Sequence, residues 1–146
     1  MGAFQHLYYM KGIFLIGWLI VFLLPSTFAQ RHLSRATAEI VNAIAINNKY
    51  ESQFVGFAGS PSVQYQNYER LKNIATNDEL VHLLKHKSAA VRIYSFKTLY
   101  EKDPGLAKKL SAQLLADTSE FMSLQGCIAG TEDVKSFVQR ILRNRY

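Results

Sequence analysis

The sequence predicts an all-α protein: a short right-handed α-solenoid of antiparallel helix pairs, preceded by a cleavable signal helix. Three observations predict it. Residues 76–104 read as a complete two-helix unit with both helix starts marked, helix starts recur along the chain every 27 to 29 residues, and an apolar run near the N-terminus ends at a small-residue cleavage site. The organisation that follows is a signal peptide over residues 1–29, an N-terminal helix and connector over 30–59, and a helical-repeat domain over 60–146.

In the two-helix unit, Thr76 and Glu79 stand at capping-box spacing, where hydroxyl and carboxylate each satisfy an orphaned backbone N–H. The first helix carries Leu80, Val81, Leu83 and Leu84 at the i, i+3, i+4 spacing of one buried face. Ser88 caps a second helix whose seam runs through Val91, Ser95, Thr98 and Leu99, widened by Ile93, Phe96 and Tyr100. Two short helices joined by so few residues pack antiparallel.

The other elements follow in order. Ser34 caps a helix with Ala36, Ile40, Val41, Ile44 and Ala45 on one face, weakened at Asn47 and Asn48. Residues 49–59, with Tyr50, Phe54, Val55 and Phe57 among polar residues and two glycines, read as an ordered connector over the first repeat's open core. Ser60-Pro61 and Asp103-Pro104 are proline-first helix starts. At an offset of 28, Val63, Tyr68 and Leu71 meet Val91, Phe96 and Leu99. Leu106, Leu110, Leu114 and Leu115 make another first helix. Asp117 with Glu120 starts a further second helix through Phe121, Leu124, Cys127 and Ile128, ending at Gly130, and Thr131 opens the last helix. Pairs this short cannot bury their apolar stripes alone, so stacked neighbours share one core.

The stretch ELVHLLKHKSAAVRIYSFKTL resembles a HEAT repeat. Val91-Arg92 matches its Val-Arg pair, Ser95 and Thr98 its small positions and Leu99 its closing leucine. His86-Lys87-Ser88 stands where the family often has a turn aspartate, and the short unit is closer to the compact repeats of the bilin-lyase type. The resemblance covers about residues 60–142. It implies a scaffold or binding module without shared chemistry, with Arg92 and second-helix aromatics near the contact.

Ile13 to Leu24 is uninterrupted apolar sequence after Lys11, followed by Pro25 and Ser26, with Thr27 and Ala29 as the small residues before Gln30. That is the grammar of a signal peptide. A twelve-residue helix rises only about 18 Å against a hydrocarbon core of roughly 30 Å. The expectation is a secreted or periplasmic protein cleaved near Ala29-Gln30. The alternative is a membrane-anchored form held through residues 12–24. The formal net charge is +6 with basic residues spread along the chain, which gives no nucleic-acid footprint and at most mild attraction to anionic envelope surfaces. Cys127 is the only cysteine, so no intrachain disulfide forms, and its spacing beside Leu124 and Ile128 predicts a buried, inert thiol.

No catalytic constellation is expected and no cofactor. Glu79, His82 and His86 share a helix face and are the one candidate metal set, two imidazoles and a carboxylate that leave an open position. The HExxH motif is absent, and the plainer reading is a solvated face. Gly56 to Pro61 lacks the phosphate-loop lysine, and there is no G-x-S-x-G elbow. Tyr65, Tyr68, Tyr94, Phe96 and Tyr100 exceed what the seam needs. Tyr65 and Tyr94, off the seam, are therefore the expected contact surface for an unidentified protein partner, together with Arg92. Lys135, Arg140, Arg143 and Arg145 make the last helix basic, in keeping with its dipole. The expectation is thus an exported, non-enzymatic interaction module. The alternatives are a small metal-binding or accessory enzyme component using Glu79, His82 and His86, and the membrane-anchored version of the same module.

Overall fold

The computed structural model describes residues 33–143. The expected signal segment, its expected cleavage point and the apolar run 12–24 lie outside them, and no helix among the described residues is long and apolar enough to cross a membrane. In order along the chain are α1 (Arg35–Asn47), β1 (Lys49–Val55), β2 (Ser60–Pro61), α2 (Val63–Ile74), α3 (Asn77–Leu83), α4 (Ala89–Lys102), α5 (Pro104–Leu115), β3 (Glu120–Gly126), β4 (Ile128–Asp133) and α6 (Val134–Leu142). The architecture is mixed α/β, and the expected all-α solenoid is not formed.

The helical half begins where its caps predict. Thr76 and Glu79 make a reciprocal capping box for α3, Ser88 caps α4, and Asp103 caps α5 with Pro104 in its first turn. Ser34 caps α1, and Asn48 ends it in a left-handed conformation at φ 43°. The Asn48 side-chain oxygen then accepts from the Ser88 hydroxyl and the Ala90 N–H, tying the end of α1 to the start of α4. Tyr68 and Leu71 of α2 are buried like their offset partners Phe96 and Leu99, while Val63 is exposed. Helix α2 starts two residues later than Ser60-Pro61 predicts, with Ser62 as its cap.

The solenoid fails in two places. Residues 49–61, expected as an ordered connector over 49–59 and a helix start at Ser60-Pro61, are instead the hairpin β1–β2. Residues 117–133 are not a second helix and the start of a third, but the hairpin β3–β4. Strands β1 and β3 pair in parallel and give a four-stranded sheet in the order β2-β1-β3-β4. Segments on either side of position 60 therefore share one sheet. Within residues 117–131 lie Thr118, Ser119, Ser123 and Thr131 together with Gly126 and Gly130, and glycine, absent from α4, is the poorer helix former. Burial there has the period of a strand: Phe121 and Ser123 are buried, with Glu120 and Met122 exposed. Gly126 takes the first position of the two-residue turn at φ 58°, as a glycine-first hairpin requires. Asp117 does not cap a helix; its carboxylate accepts from the Ser119 N–H in a turn leading into β3. The last helix accordingly starts at Val134, capped by Asp133, three residues later than Thr131 predicts.

The sheet also changes what α4 is. A solenoid leaves one face of its second helices open, whereas α4 is packed by α1, α2, α3, α5, α6, β1 and β3. Every residue from Ala89 to Phe96 is buried, as are Thr98 and Leu99.

Candidate interaction groove

Where the β1–β2 hairpin meets α2, the surface forms a groove of about 380 Å³ between Gln53, Phe54, Pro61 and Ser62 on one side and Tyr65, Gln66 and Glu69 on the other. Its hairpin wall is fixed by backbone pairing of Phe54 with Pro61 and Val55 with Ser60, extended by a hydrogen bond from the Ser62 N–H to the Gln53 carbonyl. Proline is tolerated there because β2 is an edge strand. Ser62 joins the walls. Its hydroxyl accepts from the Tyr65 N–H at the start of α2 and donates to the Glu51 carboxylate at 2.6 Å, which also holds Lys49 at 2.6 Å.

Tyr65 forms the α2 wall and is half-buried, facing a wall in which Phe54 is 52% exposed. Behind it a column of rings crosses the whole core: Tyr65 to Tyr68 at 5.4 Å, then Tyr94 at 5.2 Å, Tyr50 at 5.3 Å, Phe137 at 4.8 Å and Phe121 at 5.8 Å. Edge-to-face and offset contacts at these separations add to area burial, so Tyr65 stands on a rigid support. Next to it Glu101 accepts from the Tyr68 hydroxyl at 2.8 Å and from Lys72 at 2.7 Å, with Lys97 at 3.9 Å. The Lys97 ammonium also lies 4.5 Å from the Tyr68 ring centre and 6.0 Å from that of Tyr65.

This environment drives Tyr65, Tyr68 and Glu101 away from neutrality. Burial, then the bond to Glu101, pushes the Tyr68 hydroxyl far above its ordinary range. Burial raises Tyr65, helped by Glu69. Burial tends to raise Glu101, but the bonds from Lys72 and Tyr68 outweigh it and hold the carboxyl low. Burial lowers Lys97 against the pull of Glu101. For the two tyrosines and Glu101 this is the opposite of the tuning that a general acid or base working near neutral pH needs.

Of the expected contact residues, only Tyr65 reaches the groove. Tyr94 is fully buried, which corrects its placement on an exposed surface: the sheet covers the face a solenoid would leave open. Its hydroxyl accepts from the Glu51 N–H at 2.9 Å and donates to the Glu51 carbonyl at 3.3 Å, standing in for a neighbouring strand. Arg92 is buried as well. It donates to the carbonyls of His86 and Lys87 and to the Asp117 carboxylate at 2.8 Å, so Asp117 supplies, from the next element, the acidic partner missing from its own turn. That commitment is structural, and Arg92 offers no contact surface.

Glu79 is likewise committed. Its carboxylate accepts from the N–H groups of Thr76 and Ser34, joining α3 to the cap of α1. Burial pulls its pKa up, but those bonds and the Thr37 and Thr76 hydroxyls outweigh it and bring it down to about 2. His82 is exposed, and the Nδ1 of His86 accepts from the Ser88 N–H. Among the described residues no group of three or more His, Cys, Asp or Glu side chains is arranged to hold a metal. Cys127, expected in the core, is exposed on the β3–β4 turn.

Phe54 and the turns beside it were hidden because the strands were not foreseen. One pattern marks them: there is no Asp, Glu, Lys, Arg or His over residues 52–68 or 121–131. No family model, curated protein or solved structure matches the chain.

Proposed function

We propose that the chain is an exported, non-enzymatic module that binds a protein partner in the groove between the β1–β2 hairpin and α2. The observation that carries this reading is Tyr65, a half-exposed ring backed by five further aromatic rings and facing exposed Phe54 across a cavity of about 380 Å³. Rigid aromatic anchors lose little conformational freedom on binding, which is why such residues dominate contact energies. The tuning of the nearby tyrosines and Glu101 away from neutrality favours binding over acid–base catalysis.

The test is affinity capture from envelope extract with the wild-type chain, Tyr65→Ala, Phe54→Ala and Ile46→Ala. Ile46 is 83% exposed on α1 and lines no part of the groove. A partner retained by wild type and Ile46→Ala but lost with both groove variants supports the proposal. Unchanged recovery with the groove variants, their circular dichroism intact, rejects it. A mature N-terminus at Gln30 in the exported protein is the expected outcome for localisation, and an intact N-terminus in the membrane fraction would replace it with the anchored form.

A further inference from the structure

Two turns far apart in sequence lie side by side at one end of the sheet. One is residues 56–59 between β1 and β2, and the other is Gly126-Cys127 between β3 and β4. Parallel pairing sets Val55 beside Gly126. The Gly56 N–H donates to the Gly126 carbonyl at 3.0 Å, and the Cys127 thiol donates to the Gly56 carbonyl at 3.3 Å. Each turn carries an exposed apolar side chain on it or beside it: Phe57, in the first, is 102% exposed, and Ile128, the first residue of β4 after the second, is 77% exposed. Charge is missing from the sequence on both sides of each turn. With 19% charged residues overall, the 28 positions of 52–68 and 121–131 would ordinarily carry about five, and they carry none.

We propose that these paired turns form a lipid-contact tip that seats Phe57 and Ile128 in the boundary between headgroups and acyl chains of a membrane surface. Exposed apolar side chains at a turn pair call for either a matching pocket or a deformable apolar phase, and three features favour the second. Nothing charged has to leave water as the tip enters. Several backbone groups of the turns already have internal partners, which lowers the cost of apolar surroundings: the Gly59 N–H donates to the Gly56 carbonyl and the Gly126 N–H to the Ser52 hydroxyl at 2.9 Å. The chain as a whole carries +6, which favours an anionic leaflet. Two side chains give weak, reversible attachment, enough to orient the module at a surface. This inference stands apart from the groove, since neither Phe57 nor Ile128 lines it.

Because Cys127 is the chain's only cysteine, a polarity-sensitive dye placed on it in the full chain reports on the tip itself. A second reporter, on Ala58→Cys in a Cys127→Ser chain, preserves a donor toward the Gly56 carbonyl. With vesicles of equal parts phosphatidylcholine and phosphatidylglycerol, both dyes should shift to the blue and be quenched by acyl-chain quenchers. Phe57→Asp should weaken this response about tenfold or more, and Ile46→Asp should leave it unchanged. A dye that stays in water at either position overturns the proposal, including the case where the chain floats with vesicles through residues 13–24 or where the tip serves a protein pocket. So does a Phe57→Asp chain that responds like the wild type.

Discussion

Residues 89–102 and residues 117–130 sit one period apart, yet one became the second helix of a helical hairpin and the other went into a β-hairpin. At the offset of 28, Val91, Phe96 and Leu99 correspond to Ser119, Leu124 and Cys127. In the first region all three are buried in a helix whose caps are in place; in the second, Ser119 is in a turn, Leu124 is half-buried on a strand and Cys127 is exposed on a turn. Apolar spacing alone did not decide between them. Where glycines and hydroxyl residues depress helix propensity, and a strand from elsewhere in the chain offers its edge, the sheet wins.

The largest effect that sharpens this contrast is at Phe137, whose ring touches Tyr50 and Phe121 and so joins the helices to both central strands. Phe137→Ala should cost about 3–5 kcal/mol in urea unfolding. A loss well under 1 kcal/mol would mean the sheet is not seated on α6. Tyr94→Phe removes the hydroxyl that pairs with both backbone groups of Glu51 and should cost about 1–3 kcal/mol. Amide exchange at Glu51 should quicken, whereas a solenoid with Tyr94 on its surface would show neither change.

Gly126→Ala separates the two regions by sign. With φ at 58° in the turn, alanine should destabilise by about 1 kcal/mol. In a helix the same change would stabilise by about as much.

The smallest effect lies in the capping box. Because the folded pKa of Glu79 is held down at about 2 against an ordinary 4.5, its contribution is complete above pH 4.5 and is lost as pH falls toward 2. Glu79→Gln should therefore show a shallower acid loss of stability over that window. Equal slopes for the two chains would detach Glu79 from the cap.

Helix starts were the most legible part of the fold, because a capping side chain and the apolar stripe behind it lie within a few residues of each other. Thr76 with Glu79, Ser88, Asp103 with Pro104 and Ser34 all read correctly from sequence. Strand β1 was not legible, since its partner β3 lies some 70 residues on and long-range pairing leaves little local trace. Tyr65 was recognisable as an aromatic in excess of the seam. The burial of Tyr94 and Arg92 depended on the unforeseen sheet and on Asp117 being free of a helix. Phe54, Phe57 and Ile128 looked like scattered apolar residues until β1 and β3 brought two uncharged segments together.

The central claim is that residues 117–133 form a hairpin paired in parallel with β1, and backbone nuclear magnetic resonance tests it most directly. Extended chemical shifts over 120–126 and 128–133, with cross-strand contacts between Tyr50 and Ser123 and between Glu51 and Leu124, are the predicted result. Continuous helical shifts from 118 to 130, with no contact between those strands, would contradict it.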